Sequence, residues 1–448
     1  MATLLIRGGT IVTMNPSREI IQGDVLVDGD RIAAIGGINP ECEGFVREPD
    51  RVIDARGKVV IPGLVQTHVH LCQALFRGLA DDLELLDWLR KRIWPLEAAH
   101  DEDSIYWSAM VGAGELIKGG TTCILDMETV HHTDSALRAI AEIGIRATAG
   151  KVMMDHGAEV PAGLMETAED SLQESVDLLE KWHNQEGGRI RYAFSPRFVV
   201  SCTEGLLKEV AELAERYGVQ VHTHASENRG EVELVMEERG RRNVTYLEDI
   251  GLVGGNVLLA HCIWLDDEEM SILERTGTRV LHCPGSNLKL ASGMAMIDEM
   301  LERGISVSLG ADGPPCNNNL DMWREMRLAS FIQKVRRGPT ALPAAKVFEL
   351  ATIEGAKALG LEREIGSLEP GKKADLAVLD LSGLHVAPRS GSDLISQLVY
   401  SAGASDVVHT VIDGRVVMED RRLLTRDEGE IVRRSEEAVQ RLLARTGI

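Results

Sequence analysis

The chain has 448 residues, 44% hydrophobic, 26% charged and only 4% aromatic, with a net charge of −22. This balance fits a soluble globular enzyme and excludes disordered, collagenous and membrane-spanning classes. An acidic surface repels phosphate backbones and anionic headgroups, so the expected partner is a small molecule, with neither nucleic acid nor membrane involved.

The first apolar run, Leu4-Leu-Ile, is broken at Arg7, and no later run approaches about 18 apolar residues; neither a signal peptide nor a membrane span is expected. Seven cysteines, from Cys42 to Cys316 without a CxxC pair, suggest a reducing compartment, the cytoplasm. From Leu4 to about Asp54, short alternating runs broken by turns predict a small antiparallel β unit. Residues 58 to 365 alternate β-branched runs with helical periodicity. Eight strands are predicted: Leu64 to His70, Thr121 to Asp126, Arg146 to Met153, Ile190 to Phe194, Val219 to His224, Val257 to His261, Arg279 to His282 and Ser306 to Asp312. Between them, segments such as Glu204 to Tyr217 repeat apolar residues every three or four positions, as helices do. Alternating runs return at Lys373 to Asp380 and around the hairpin signal Asp413-Gly414, and a final amphipathic helix from Glu428 to about Arg445 is expected to cap the terminal β unit. The predicted architecture is therefore α/β. A (β/α)₈ TIM barrel over residues 58–365 carries a small β-sandwich built from both termini, residues 1–57 and 366–448.

In such a barrel the chemistry sits at the C-terminal ends of the strands. Strand one ends in His68-Val-His70, and alternation puts both imidazoles on one face. That pair alone leaves a metal and a structural reading open. Strand five ends in His222-Thr-His224-Ala-Ser-Glu227, strand six in His261, strand seven in His282 and strand eight in Asp312. Imidazole and carboxylate together suit one divalent ion, Zn²⁺ or Fe²⁺, with a position left open for chemistry. His222 shares a face with His224; the HxxE spacing favours His224 as the ligand and His222 as its support. The other histidines, His100, His131, His132, His156, His183, His385 and His409, are expected to be structural or solvent-facing.

Taken together, Pro62-Gly-Leu-Val-Gln-Thr-His68-Val-His70, His224-Ala-Ser-Glu227, Leu259-Ala-His261, His282-Cys-Pro-Gly-Ser-Asn287 and Leu309-Gly-Ala-Asp312-Gly resemble the amidohydrolase superfamily. So does Gly366-Ser-Leu-Glu-Pro-Gly-Lys-Lys-Ala-Asp375, and the similarity spans essentially the whole chain. Arg77-Gly-Leu-Ala-Asp-Asp-Leu, Ile93-Trp-Pro-Leu-Glu97 and Asn317-Asn-Asn-Leu-Asp-Met resemble the methylthioadenosine and S-adenosylhomocysteine deaminase branch, to which guanine deaminase and the s-triazine hydrolases also belong. The resemblance implies metal ligands His68, His70, His224 and Asp312. It implies a single ion, because Arg189 to Arg197 on strand four offers no lysine of the kind that two-metal members carboxylate. Glu227 would shuttle protons, Asp312 would receive the proton of water, and His261 would hydrogen-bond the developing oxygen. His282 would support His261 or touch the ring.

Substrate signals are mixed. Pro196-Arg197-Phe198, the sequence His224 to Arg229 and Gln73 resemble guanine deaminase, whereas Glu97 matches a glutamate that binds ribose hydroxyls. An arginine offers only donors, so Arg197 asks for an acceptor, which both purines have. Trp88 and Trp94 either wall the pocket or pack in the core; Cys72, Cys262, Cys283 and Cys316, beside these residues, are expected to pack. The expected activity is hydrolytic deamination of an adenosine-type nucleoside: 5′-methylthioadenosine, S-adenosylhomocysteine, 5′-deoxyadenosine or adenosine. Guanine-type bases and s-triazines are alternatives. A noncatalytic scaffold would show eroded ligands, and this chain has lost none. Family habit suggests a homo-oligomer.

Overall fold

A computed structural model describes residues 3–37 and 49–446; Cys42 lies outside them. The central sheet has its strands parallel, in the order of the chain: Leu64–Val69, Thr121–Met127, Arg146–Gly150, Ile190–Pro196, Gln220–Ala225, Val257–His261, Arg279–His282 and Val307–Leu309. Every residue of the first three is buried, because helices cover one face and the barrel interior the other. A parallel bridge between Val69 and Asp312 closes the first strand on the last, and the Asp312 N–H donates to the His68 carbonyl at 3.0 Å. The eighth strand is shorter than its β-branched run suggests. Asp312 has φ 63°, and His261 has φ 72°. Neither backbone can continue a strand there, and such left-handed non-glycine residues cluster where a fold holds side chains for use.

The short strand Val152–Met153 also pairs with Ile190–Pro196 in the barrel, and a second sheet, nine-stranded among the described residues, is drawn from both ends of the chain. Ile6, Val25, Val27, Ile32, Leu376, Val378 and Val411 form its shared apolar core. Val59–Pro62 pairs with both Thr3–Val12 and Leu376–Leu379, so this sheet extends past the boundary at residue 57 read from the sequence. The Asp413-Gly414 hairpin joins Val407–Ile412 to Arg415–Glu419, with both turn residues at positive φ.

The last helix, Glu428–Thr446, corrects one expectation. It does not cap the terminal sheet; it lies on the barrel helix Glu102–Lys118. Its apolar face, Ile431, Ala438 and Leu442, joins the same cluster as Ile105 and Ala109. Lys118 Nζ meets Glu428 at 2.6 Å and Arg445 Nε donates to the Ala99 carbonyl at 2.8 Å. A helical stripe shows that a face is buried, not against what. No helix among the described residues is long and apolar enough to cross a membrane.

Barrel and sheet are joined by a buried ion pair. Arg146, at the start of the third barrel strand, donates to Asp375 through Nε (2.8 Å) and Nη2 (3.0 Å), and to Asp413 at 2.5 Å. Removing Asp375 takes two charge-assisted hydrogen bonds from the buried guanidinium and leaves it Asp413 alone as counter-charge. Asp375→Ala is therefore expected to lower the unfolding free energy by about 3–5 kcal/mol, measured by chemical denaturation.

Candidate active site

Four side chains converge at the mouth of the barrel. The His70 Nδ1–H donates to the Met127 carbonyl and the His224 Nδ1–H to the Arg197 carbonyl, each at 2.7 Å, so both rings turn Nε2 inward as a lone pair. His68 Nδ1 pairs with His222 Nε2 at 2.7 Å. The inward atoms lie close together: His70 Nε2 to His224 Nε2 is 3.3 Å, His70 Nε2 to Asp312 Oδ1 3.3 Å, and His68 Nε2 to Asp312 Oδ1 3.4 Å. Ligands ~2.1 Å from one ion at tetrahedral angles stand ~3.4 Å apart, so this spacing is that of a metal cage. His68 Nε2 is buried without a hydrogen-bond partner, as an imidazole awaiting a cation would be.

Burial lowers the His68 imidazole to about 4 and takes His224 well below its ordinary value, keeping both neutral. Burial opposes the Asp312 charge, yet the His68 and His70 rings beside it hold its carboxyl well below the usual range. The partner effect appears on His70, where burial is outweighed by Asp312 and the imidazole is raised. His261 also lies in reach of His68 and His224. Its Nδ1–H donates to Asn287 Oδ1 at 2.8 Å, leaving Nε2 buried and unpartnered.

Glu227 faces the same space. Burial, then the Asp312 and Glu231 charges, raise its carboxyl well above the ordinary range. Its Oε2 is 3.5 Å from His261 Nε2, too long for a hydrogen bond. The sequence reading passed over the residue that fixes it. Glu231 Oε2 accepts the Glu227 N–H at 2.7 Å while capping the helix Arg229–Arg239 with Asn228. The Asn-x-x-Glu capping box was the available signal.

A cavity opens over this cluster. His70, His224, Glu227, His261 and Asp312 line it, together with Gln73, Leu85, Trp88, Leu89, Arg197 and Phe198. Trp88 thus faces the cavity, whereas Trp94 is buried outside its lining. Glu97 and His282 are also outside it. Glu97 is buried against Arg197, with Nη1 at 2.5 Å and Nη2 at 3.2 Å, and accepts from Gln73 Nε2 at 2.8 Å. Three of its roughly four acceptor positions are thereby filled by the chain itself. Burial and His261 lower the His282 ring to about 3, and neither of its nitrogens has a hydrogen-bond partner. At the end of the third strand the buried Lys151 is held by both Glu166 oxygens, each at 2.7 Å. Cys72, Cys262, Cys283 and Cys316 are buried and free, and burial raises each thiol.

Known proteins place this arrangement in context. The pattern of the amidohydrolase family matches residues 59–417. A protein of Methanosarcina mazei named 5′-deoxyadenosine deaminase is 39% identical over 99% of both chains. One of Syntrophomonas wolfei named 5-methylthioadenosine/S-adenosylhomocysteine deaminase is 39% identical over 99% of this chain and 100% of its own. The crystal structure of an adenosine deaminase from Xanthomonas campestris with bound zinc superposes with a TM-score of 0.91 at 31% identity, covering 99% of each chain.

Proposed function

Because the chain belongs to the amidohydrolase family, we propose that it is a metal-dependent hydrolytic deaminase that releases ammonia from an adenosine-type nucleoside. The observation that carries this reading is geometric: Glu227 faces the same cavity as His70, His224 and Asp312, whose inward atoms, with that of His68, stand 3.3 to 3.4 Å from their neighbours. Three imidazoles and one carboxylate favour zinc as the ion, and buried free cysteines favour a reducing cytoplasm.

A divalent ion held by His68, His70, His224 and Asp312 supplies Lewis acidity that makes water nucleophilic at neutral pH. The chain's own residues do the rest. Glu227 donates its proton to the ring nitrogen beside the amino-bearing carbon, which makes that carbon electrophilic. Asp312 takes the proton of the attacking water. His261, whose Nε2 is an acceptor when Nδ1–H is on Asn287, takes the water's other O–H and aims its oxygen at the carbon. Glu227, now a carboxylate, relays the proton held by Asp312 to the departing amino group, which leaves as ammonia, and recovers its own proton from the hydroxyl left on the carbon. Trp88 and Phe198 offer flat apolar walls for a purine, and Arg197 offers donors at the cavity edge.

The test is a panel of 5′-deoxyadenosine, 5′-methylthioadenosine, S-adenosylhomocysteine, adenosine, guanine and an aminotriazine, scored by ultraviolet change and ammonia. Turnover of adenine nucleosides, lost on chelation and restored by zinc, is the expected result. Release of ammonia from guanine alone would favour the second reading, for which Arg197 and Gln73 in the cavity wall speak. Turnover of none would overturn both.

His222 supports His68 by the 2.7 Å contact between their rings. His222→Ala is expected to weaken metal affinity about 10–100-fold, as read by competition with a chromogenic chelator.

A further inference from the structure

His261 owes its direction to Asn287, which sits on the short helix Pro284–Lys289 after strand seven, and Asp312 follows Ala311 after strand eight. A third element ties these two loops. Glu325, buried on the helix Met322–Arg337, accepts the Gly285 N–H through Oε2 at 2.8 Å and the Asn317 Nδ2–H through Oε1 at 2.8 Å. The same Asn317 amide donates to the Ala311 carbonyl at 2.8 Å. Gly285 lies in the first turn of its helix, where an N–H has no partner within the helix and favours a carboxylate. A Cβ at Gly285 would stand 2.5 Å from Glu325 Oε1 and 2.7 Å from Asn317 Nδ2, so only glycine admits this approach. Glu325 and Asn317 thus form one hydrogen-bonded brace from the loop of Asn287 to the residue before Asp312.

We propose that Glu325 is a positioning residue, which locks the loops after strands seven and eight together and so fixes the aim of His261 at the reacting centre. The inference rests on the deaminase reading for its effect on rate, but its structural content can be read without substrate. Both partners of Glu325 are donors. Glu325→Gln keeps the shape and offers an acceptor to one of them while turning an N–H against the other. Gly285, released, lets Asn287 drift from His261.

The experiment has two arms on the zinc-loaded enzyme. In the first, Glu325→Gln lowers kcat about 10–100-fold with KM changed less than about twofold. Because Glu325 acts through Asn287, the double variant with Asn287→Ala is no slower than Asn287→Ala alone. In the second arm, a spectrum of histidine-selectively ¹⁵N-labelled protein follows the His261 Nδ1–H signal, identified by its loss in His261→Gln. In Glu325→Gln that signal shifts or broadens, while the signals of His70 and His224 stay. Additive kcat losses, or an unmoved His261 signal, would overturn the proposal. Wild-type protein inactive on every nucleoside would strike the deaminase reading, and the spectrum would still decide the role of Glu325. Should Glu325→Gln fail to fold, Asn317→Ala removes the bridge from a half-exposed position and carries the same two expectations.

Discussion

Glu227→Gln is expected to lower kcat about 10²–10⁴-fold on the preferred nucleoside, the range a positioned proton donor contributes. The substitution preserves shape and removes only the transferable proton. Glu227 is buried, and burial with the Asp312 and Glu231 charges disfavours its ionised form, so an uncharged amide in its place suits the same surroundings. Binding should survive: the change falls on kcat, with KM near that of the wild type. Stability provides a check on the sign of the shift. A carboxyl whose folded value is raised contributes fully below its unfolded value, and that contribution is lost as pH rises toward the folded value. Wild-type protein must ionise Glu227 in a buried place at alkaline pH, whereas the amide has nothing to ionise. The melting temperatures of the two proteins should coincide at acid pH and separate in favour of Glu227→Gln above the ordinary carboxylate range. Equal turnover by the two proteins would remove Glu227 from the mechanism.

The convergence of His68, His70, His224 and Asp312 was legible in the sequence because strand geometry is simple. Residues two apart share a face, and successive parallel strands end at one rim. The same regularity made the eight strands and the helix Glu204–Tyr217 readable, while the positive φ of Asp312 leaves no mark in residue type. What stayed hidden depends on contacts between distant segments. Glu97 and Arg197, 100 residues apart, were each assigned to a substrate; the structure pairs them with one another, and only Arg197 lines the cavity. Glu325 is 40 residues from Gly285 and sits in a run that reads as an ordinary helix start. The docking of the last helix failed for a related reason. Its stripe was visible, but two apolar surfaces competed for it, and the barrel helix Glu102–Lys118 also offered ion pairs at both ends.

Asp312→Asn is expected to abolish measurable turnover and, unlike Glu227→Gln, to deplete the bound ion as well. Two functions meet on this side chain. It is the anionic member of the ligand set, since burial keeps the His68 and His224 rings neutral. Asparagine would leave a divalent charge opposed only by imidazole lone pairs and one amide oxygen, in a site with little water to screen it. Asp312 also supplies the base for the attacking water, alone worth about 10²–10⁴-fold. The two losses can be separated. Elemental analysis after dialysis reads the first, and turnover at saturating zinc reads the second, because mass action refills a weakened site but cannot restore a base. If zinc in excess returned full activity to Asp312→Asn, Asp312 would be a ligand only, and the proton of water would have to pass to His261, whose Nε2 is the other buried acceptor in reach.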